Sequence, residues 1–286
     1  MYKIAILGCE NSHANSFLDF IIKDEVYTDI EVVGVYSEDI EAANKLNEKY
    51  GVYVAKSYDE FVGKLDGLVI TARHGGKHYE FAKPYIKMGI PMFIDKPITV
   101  TEEDAINLKN DLVSNNVRVC GGSMCKFPEF VQELKKNVSE KKYGEVYGGY
   151  LRTPVSMVND YGNFFFYSQH QVQVLGEIFG YYPNSVKAFV NGDVITCIVR
   201  YDNYDVTLEF VENNYSYYAG ISCEKKGIFS EYFLDGCPQL EFDAFYNLLK
   251  GEAQHESYDD FLAPVFILNA IDRSIKSGEE EKVNRA

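Results

Sequence analysis

Tryptophan is absent from these 286 residues, and histidine, with five copies, and proline, with eight, are sparse. The first absence removes tryptophan emission as a binding signal. Six cysteines (Cys9, Cys120, Cys125, Cys197, Cys223 and Cys237) form no CxxC pair and no zinc spacing, which excludes a stapled or zinc-built scaffold and leaves six expected free thiols. Although 46% of the chain is hydrophobic, no apolar run approaches the ~18 residues of a membrane span. Bases are also short: 28 against 43 acids give a formal charge of -15, which opposes binding to nucleic acid or an anionic membrane. No basic flank or cleavage site precedes Lys3, so the expected location is cytoplasmic. No internal repeat and no low-complexity tract interrupts the chain.

What is present is an alternation. Lys3 to Leu7 reads as a buried strand ending at Gly8, and Phe17, Leu18, Ile21 and Ile22 lie at helical spacing within Asn15 to Lys23. A strand at Glu31 to Tyr36 and a helix at Asp39 to Tyr50, closed by Gly51, complete a βαβ unit. Ser57 and Glu60 predict a capping box for a short helix through Lys64. Strand Gly67–Thr71, helix Tyr79–Met88, strand Pro91–Asp95, a helix capped by Thr101 and strand Val117–Gly121 follow. Strands and helices of these lengths imply right-handed crossovers and a doubly wound parallel sheet over residues 1–121.

The pattern then changes. Over residues 122–286, beyond one helix at Pro128 to Ser139, strands are predicted at 146–153, 186–190, 194–201, 206–210, 215–223 and 228–233, several joined by hairpin turns such as Asn191-Gly192-Asp193. Helices are expected at Ser168–Phe179, Leu240–Lys250 and Asp259–Lys276. The fold class is therefore α/β: a Rossmann-like doubly wound domain, then an α+β domain on a largely antiparallel open sheet. The 23 tyrosines and 19 phenylalanines crowd this half, either as core or as cover for the sheet's open face.

Chemistry is expected first at Met92 to Pro97. A buried strand delivers Asp95 and Lys96 to its carboxyl end, where open parallel sheets bind ligands, and Pro97 stops the strand. The pair reads either as an ordinary polar turn or as a catalytic lysine at a mouth. His170, in the first turn of a helix, is the second candidate. Moving a hydride from an alcohol needs a base for the proton and a cation for the developing alkoxide, roles open to a histidine and a lysine.

The order of these motifs resembles the glucose-fructose oxidoreductase and inositol dehydrogenase family (Gfo/Idh/MocA) over nearly the whole chain. Asp95-Lys96-Pro97 stands where the family has Glu-Lys-Pro. Gly121-Gly122 through Lys126-Phe127 is similar to its glycine, histidine, arginine, phenylalanine stretch, and Gly144-Glu145-Val146 to its lead into the second domain. His170 matches the histidine of Asp-x-Gly-x-His-x-x-Asp, and Ser274 with Ser277-Gly278 the end of the last helix. The resemblance implies an NAD(P)-dependent oxidoreductase in which Lys96 contacts nicotinamide ribose and substrate, and His170 is the acid-base residue. It implies cofactor contacts at Gly8, Glu10, Asn11, Ser12, His13, Ser37, Ala72, His74, His78, Asp95 and Lys96. It also implies substrate contacts at Lys96, Lys126, Phe166, His170 and Gln173. The family's Lys-Pro bond is often cis, so the expectation extends to Lys96-Pro97 against a base rate of ~5%.

Departures from the family pattern are specific. Of the glycine fingerprint only Gly8 remains, with Glu10 and His13 at the other two positions. A carboxylate ~5 Å from a phosphate costs about 1 to 3 kcal/mol, unless Glu10 turns away or His13 pairs with it. Ser37 stands where an acid would hold the adenosine ribose, and Glu38 follows, which leans the cofactor expectation to NAD over NADP. Phe166, Ser168 and Gln173 replace the aspartates and glycine around His170. His74 and His78 are four apart, but the glycines between them argue for a loop, and no metal site is expected. The expected substrate is a sugar, inositol or similar polyol, and the expected assembly a homodimer or homotetramer. Two alternatives stay open: a sensor that binds a small molecule without turnover, and a non-redox enzyme using NAD transiently.

Overall fold

The computed structural model describes residues 1–285. Five strands, β1 (Tyr2–Leu7), β2 (Ile30–Tyr36), β3 (Gly67–Ile70), β4 (Met92–Asp95) and β5 (Val119–Gly122), pair in parallel in the order β2-β1-β3-β4-β5. β3 and β4 are buried at every residue, as a sheet covered on both faces requires. The connecting helices are α1 (Ser12–Leu18, continued by a wider turn through Lys23), α2 (Ile40–Tyr50), α3 (His78–Ala82) and α4 (Glu102–Ser114).

Two expected helices differ. Ser57 to Lys64 forms turns: the carboxylate of Glu60, which a capping box would send to the amide of Ser57, accepts instead from Lys56 N at 2.8 Å and Tyr53 OH at 2.7 Å. The stretch Tyr79 to Met88 begins as α3 and tightens to a 3-10 turn at Lys83–Met88, because Pro84 has no N–H to continue the α pattern.

Beyond α5 (Glu129–Ser139) come β6 (Val146–Val155), α6 (Phe164–Phe179), β7 (Ser185–Asn191), β8 (Val194–Arg200), β9 (Asp205–Glu212), β10 (Tyr218–Cys223) and β11 (Gly227–Glu231). With a short β12 (Glu281–Lys282) they make a seven-stranded sheet in the order β11-β10-β6-β9-β8-β7-β12. Every pair is antiparallel except β6 with β9. The strand expected from Tyr215 begins only at Tyr218, and α6 begins four residues before the expected Ser168. One face of this sheet carries α6; side chains such as Tyr147, Phe189 and Phe229 stand exposed outside that core.

The last two helices, α7 (Cys237–Leu249) and α8 (Tyr258–Ser277), return to the first sheet. Phe242, Phe245 and Leu249 of α7 join Ile4, Ile6, Phe17 and Phe93 on one face. Phe261, Leu262, Val265 and Phe266 of α8 join Leu7, Ile70, Ile94 and Leu108 on the other. Gly67 makes room for this: a Cβ there would lie 2.5 Å from Leu249 Cδ2. No described helix is long and apolar enough to cross a membrane.

Candidate active site

β4 is the axis of the site. Asp95 is wholly buried; its Oδ1 accepts from Lys96 N at 2.7 Å and its Oδ2 from Asn11 Nδ2 at 2.9 Å. The Lys96-Pro97 bond is cis, and the next amide, Ile98 N, donates to Gln169 Oε1 at 2.9 Å, pinning the loop to α6. Lys96 is buried, with its Nζ over the rings of Phe166 at 4.5 Å and Tyr167 at 5.4 Å. Burial lowers its pKa, against the pull of Asp95 and Glu241.

α6 carries polar side chains into the interior: Gln169, His170, Gln171 and Gln173 are all buried. His170 Nδ1 lies 2.6 Å from Ser123 Oγ and 3.4 Å from Cys125 Sγ. Burial, then the nearby charge of Lys96, holds its pKa well below the ordinary histidine value, so the ring is neutral at pH 7. Gln173 Oε1 accepts from Ser123 N at 3.4 Å and its Nε2 donates to Tyr181 OH at 2.7 Å. Lys96, Phe166, His170 and Gln173 therefore lie together. Lys126 does not join them: its Nζ donates to Gly121 O at 3.0 Å and Glu256 Oε1 at 2.6 Å, lining a separate cavity of about 280 Å³ with Glu177 and His255.

The glycine loop keeps Gly8 for a physical reason. Its φ is +75°, and a Cβ would collide with the backbone of Ala72. Gly8 N and Cys9 N donate to Tyr36 O at 2.8 and 3.1 Å. Glu10 swings across the mouth of the sheet, its carboxylate accepting from Ser37 Oγ at 2.7 Å and Arg73 N at 2.9 Å. His13 does not pair with it, contrary to one expected arrangement; the ring points inward, Nδ1 lying 3.3 Å from Asp95 Oδ2 and 3.2 Å from Glu241 Oε2. Burial disfavours the charged ring, but the two carboxylates outweigh it and raise His13 to about 9. α7 supplies the second carboxylate, which could not be reached by any local arrangement.

A dinucleotide can be tested against this geometry. Asn11 caps α1 through its side chain, and the amides of Glu10, Asn11 and Ser12 have no partner among the described residues, which suits a pyrophosphate at a helix start. Beside them a cavity of about 240 Å³ is lined by Glu10, Ser37, Glu38, Asp39, Ala72 and His74, acceptors that suit a ribose diol. The groups present fit, with Glu10 as the one opposing charge. His74 Nδ1 accepts from Gly76 N at 3.0 Å, whereas His78 is sealed, its Nε2 2.7 Å from Ala72 O and Nδ1 3.2 Å from Ile98 O. It ties the loops after β3 and β4 together.

Ser123, Tyr167 and Glu241 were not singled out from the sequence. Ser123 sits inside the Gly121 to Phe127 stretch, where a hydroxyl among glycines was a usable signal; Glu241 was invisible because only the packing of α7 brings it near.

A parallel sheet of Rossmann order is joined to an open mixed sheet, with a buried lysine and a histidine close to one another between them. Residues 2–123 match the model of the Gfo/Idh/MocA family, described as an oxidoreductase family with an NAD-binding Rossmann fold. No curated protein matches the chain in sequence. Solved structures share the fold throughout. A myo-inositol dehydrogenase from Corynebacterium glutamicum is 18% identical, with TM-score 0.82 over 100% of both chains. The WlbA dehydrogenase from Bordetella pertussis, in complex with NADH and UDP-GlcNAcA, is 18% identical, with TM-score 0.84 over 100% of this chain and 99% of that one. Myo-inositol 2-dehydrogenase from Lactobacillus plantarum is 13% identical, with TM-score 0.85 over 99% of each. At these identities the likeness is one of fold.

Proposed function

We propose that the protein exchanges a hydride between NAD(P) and a secondary alcohol, or the matching ketone, of a sugar, inositol or similar polyol. The observation that carries this reading is the meeting of Lys96 and His170 between the two domains at the carboxyl end of β4. The bound nicotinamide supplies the hydride acceptor or donor. Lys96 holds the substrate oxygen with its ammonium, which the rings of Phe166 and Tyr167 keep out of bulk water. His170 moves the proton. Ser123 Oγ accepts from Cys125 N at 3.1 Å and keeps a second lone pair for His170 Nδ1–H, leaving Nε2 unprotonated as the base for alcohol oxidation. The imidazolium formed by taking up the alcohol proton returns it from Nε2 in ketone reduction. Gln173 stands one turn on, with an amide suited to a substrate hydroxyl.

The amides of Glu10, Asn11 and Ser12 would hold the pyrophosphate, and Ser37 with the carboxylates of Glu10 and Glu38 the adenosine ribose. Four acids around that cavity, Glu10, Glu38, Asp39 and Asp160, outnumber its one ammonium, Lys77, which is paired with Glu38, and so repel a 2'-phosphate and favour NAD over NADP. The exposed aromatics of the second sheet are the surface on which a second copy would dock.

The test is calorimetric titration with NADH and then NADPH, followed by a screen of cyclitols and sugars with Lys96→Met and His170→Ala beside the native protein. Micromolar NADH affinity and turnover lost in both variants support the assignment. Full turnover in His170→Ala removes the histidine from its role. The carboxylate of Glu10 across the crevice favours one rival, a non-catalytic binding protein; its mark is binding of a polyol with no NADH affinity at millimolar concentration.

A further inference from the structure

His13 Nδ1, Asp95 Oδ2 and Glu241 Oε2 come from three separate elements, the glycine loop and α1, the end of β4, and α7. Two of the three separations are 3.2 and 3.3 Å, and all lie within 4.8 Å. These short distances are not satisfied hydrogen bonds. His13 Nδ1 and both oxygens of Glu241 are buried without any aligned hydrogen-bond partner. Glu241 is 1% exposed. The two nearest ammonium groups are committed elsewhere: Lys126 to Glu256 and Gly121 O, and Lys96 to the face of Phe166. Buried carboxylate oxygens in native proteins are hydrogen-bonded or coordinate a metal, and those of Glu241 have only the unaligned ring of His13 at 3.2 Å.

We propose that His13, Asp95 and Glu241 bind one divalent transition-metal cation. Metal–ligand bonds of ~2.0 to 2.2 Å set neighbouring ligand atoms about 2.8 to 3.6 Å apart across octahedral and tetrahedral geometry, a range that holds the two short separations. One imidazole with two carboxylates suits Zn²⁺, Fe²⁺ or Mn²⁺; Mg²⁺ and Ca²⁺ take oxygen sets. Outer contacts orient the ligands: Asn11 Nδ2 and Lys96 N donate to the two oxygens of Asp95, and Phe17 and Phe242 shield the site. The site is closed, so the cation clamps the glycine loop and β4 to α7 and takes no part in the reaction. The replacement of a loop glycine by His13 then has a purpose independent of any dinucleotide.

The experiment uses the full chain, stripped with a chelator and titrated calorimetrically with ZnCl₂ and with MnCl₂. One equivalent of either is expected to bind and to raise the melting temperature, with affinity weakened by about a hundredfold or more in Glu241→Gln and His13→Gln. No uptake at millimolar metal overturns the proposal. So does binding that is unchanged in both variants, which places the metal elsewhere. Circular dichroism checks that the variants fold. If they do not, X-ray absorption of the native protein loaded with Co²⁺ decides: a shell of nitrogen and oxygen with one imidazole supports the site, and sulfur ligation overturns it.

Discussion

Replacing Glu10 by glutamine is the sharpest probe of the altered loop. The side chain is locked by Ser37 Oγ at 2.7 Å and Arg73 N at 2.9 Å, and a glutamine keeps both contacts by accepting from Arg73 N and donating to Ser37 Oγ. The substitution therefore removes charge and little else. At a separation of ~6 Å between that carboxylate and a phosphate on the amides of Glu10 to Ser12, dielectric constants of ~80 and ~20 give about 0.7 to 2.8 kcal/mol of repulsion. Glu10→Gln should thus tighten NADH binding about three- to a hundredfold. Calorimetry at low salt measures it, and the gain should shrink at ~1 M salt, where the Debye length falls to ~3 Å. An affinity unchanged or weakened by the substitution would refute the reasoning and show that Glu10 serves the ribose as an acceptor. Binding of AMP alone then separates the cases, since it carries the ribose without the pyrophosphate.

Other outcomes follow from the same geometry. His170→Ala should lower kcat by about 10² to 10⁴-fold with NADH affinity little changed, read by steady-state kinetics beside calorimetry. Ser123→Ala leaves His170 Nδ1 without its 2.6 Å partner and should shift the pH profile of kcat while sparing the cofactor affinity. Because burial lowers the pKa of His170 in the folded state, its contribution to stability is full above pH ~6.5 and is lost as pH falls below it. In urea titrations at pH 5 to 7 the native protein should lose up to about 1.4 kcal/mol per pH unit more than His170→Gln. Phe245→Ala, at a fully buried position where α7 packs on Phe93 of β4, should cost about 3 to 5 kcal/mol by the same measurement.

The fold was legible where period and punctuation agreed. Buried runs such as Gly67–Ile70 and Met92–Asp95, the second preceded by a helical stretch that ends at Gly89, could be read as parallel strands because nothing local competed. Local signals failed where another residue intervened: Glu60 found Lys56 N and Tyr53 instead of its capping partner, and Pro84 broke the α pattern that apolar spacing promised. The lysine and histidine were visible because each stands at an element's end with a chemistry of its own. Their surroundings were not. Ser123 lies 47 residues from the ring it orients, and Glu241 reaches His13 only after α7 has folded back over the first sheet. The fate of Lys126, drawn away by Glu256, likewise depends on a partner 130 residues distant.

The return of α7 and α8 to the first sheet also sets an order of events during synthesis. The last strand of that sheet ends at Gly122, but the phenylalanines that complete its two faces begin at Phe242, 120 residues later. At ~5 to 20 residues per second a ribosome needs about 6 to 24 s to make that stretch. Throughout that interval the nascent sheet holds Ile4, Ile6 and Phe93 on one side, and Leu7 and Ile94 on the other, without their final neighbours. The nascent chain is then a client for any chaperone that grips exposed apolar strands, and it is released only when the final helices emerge.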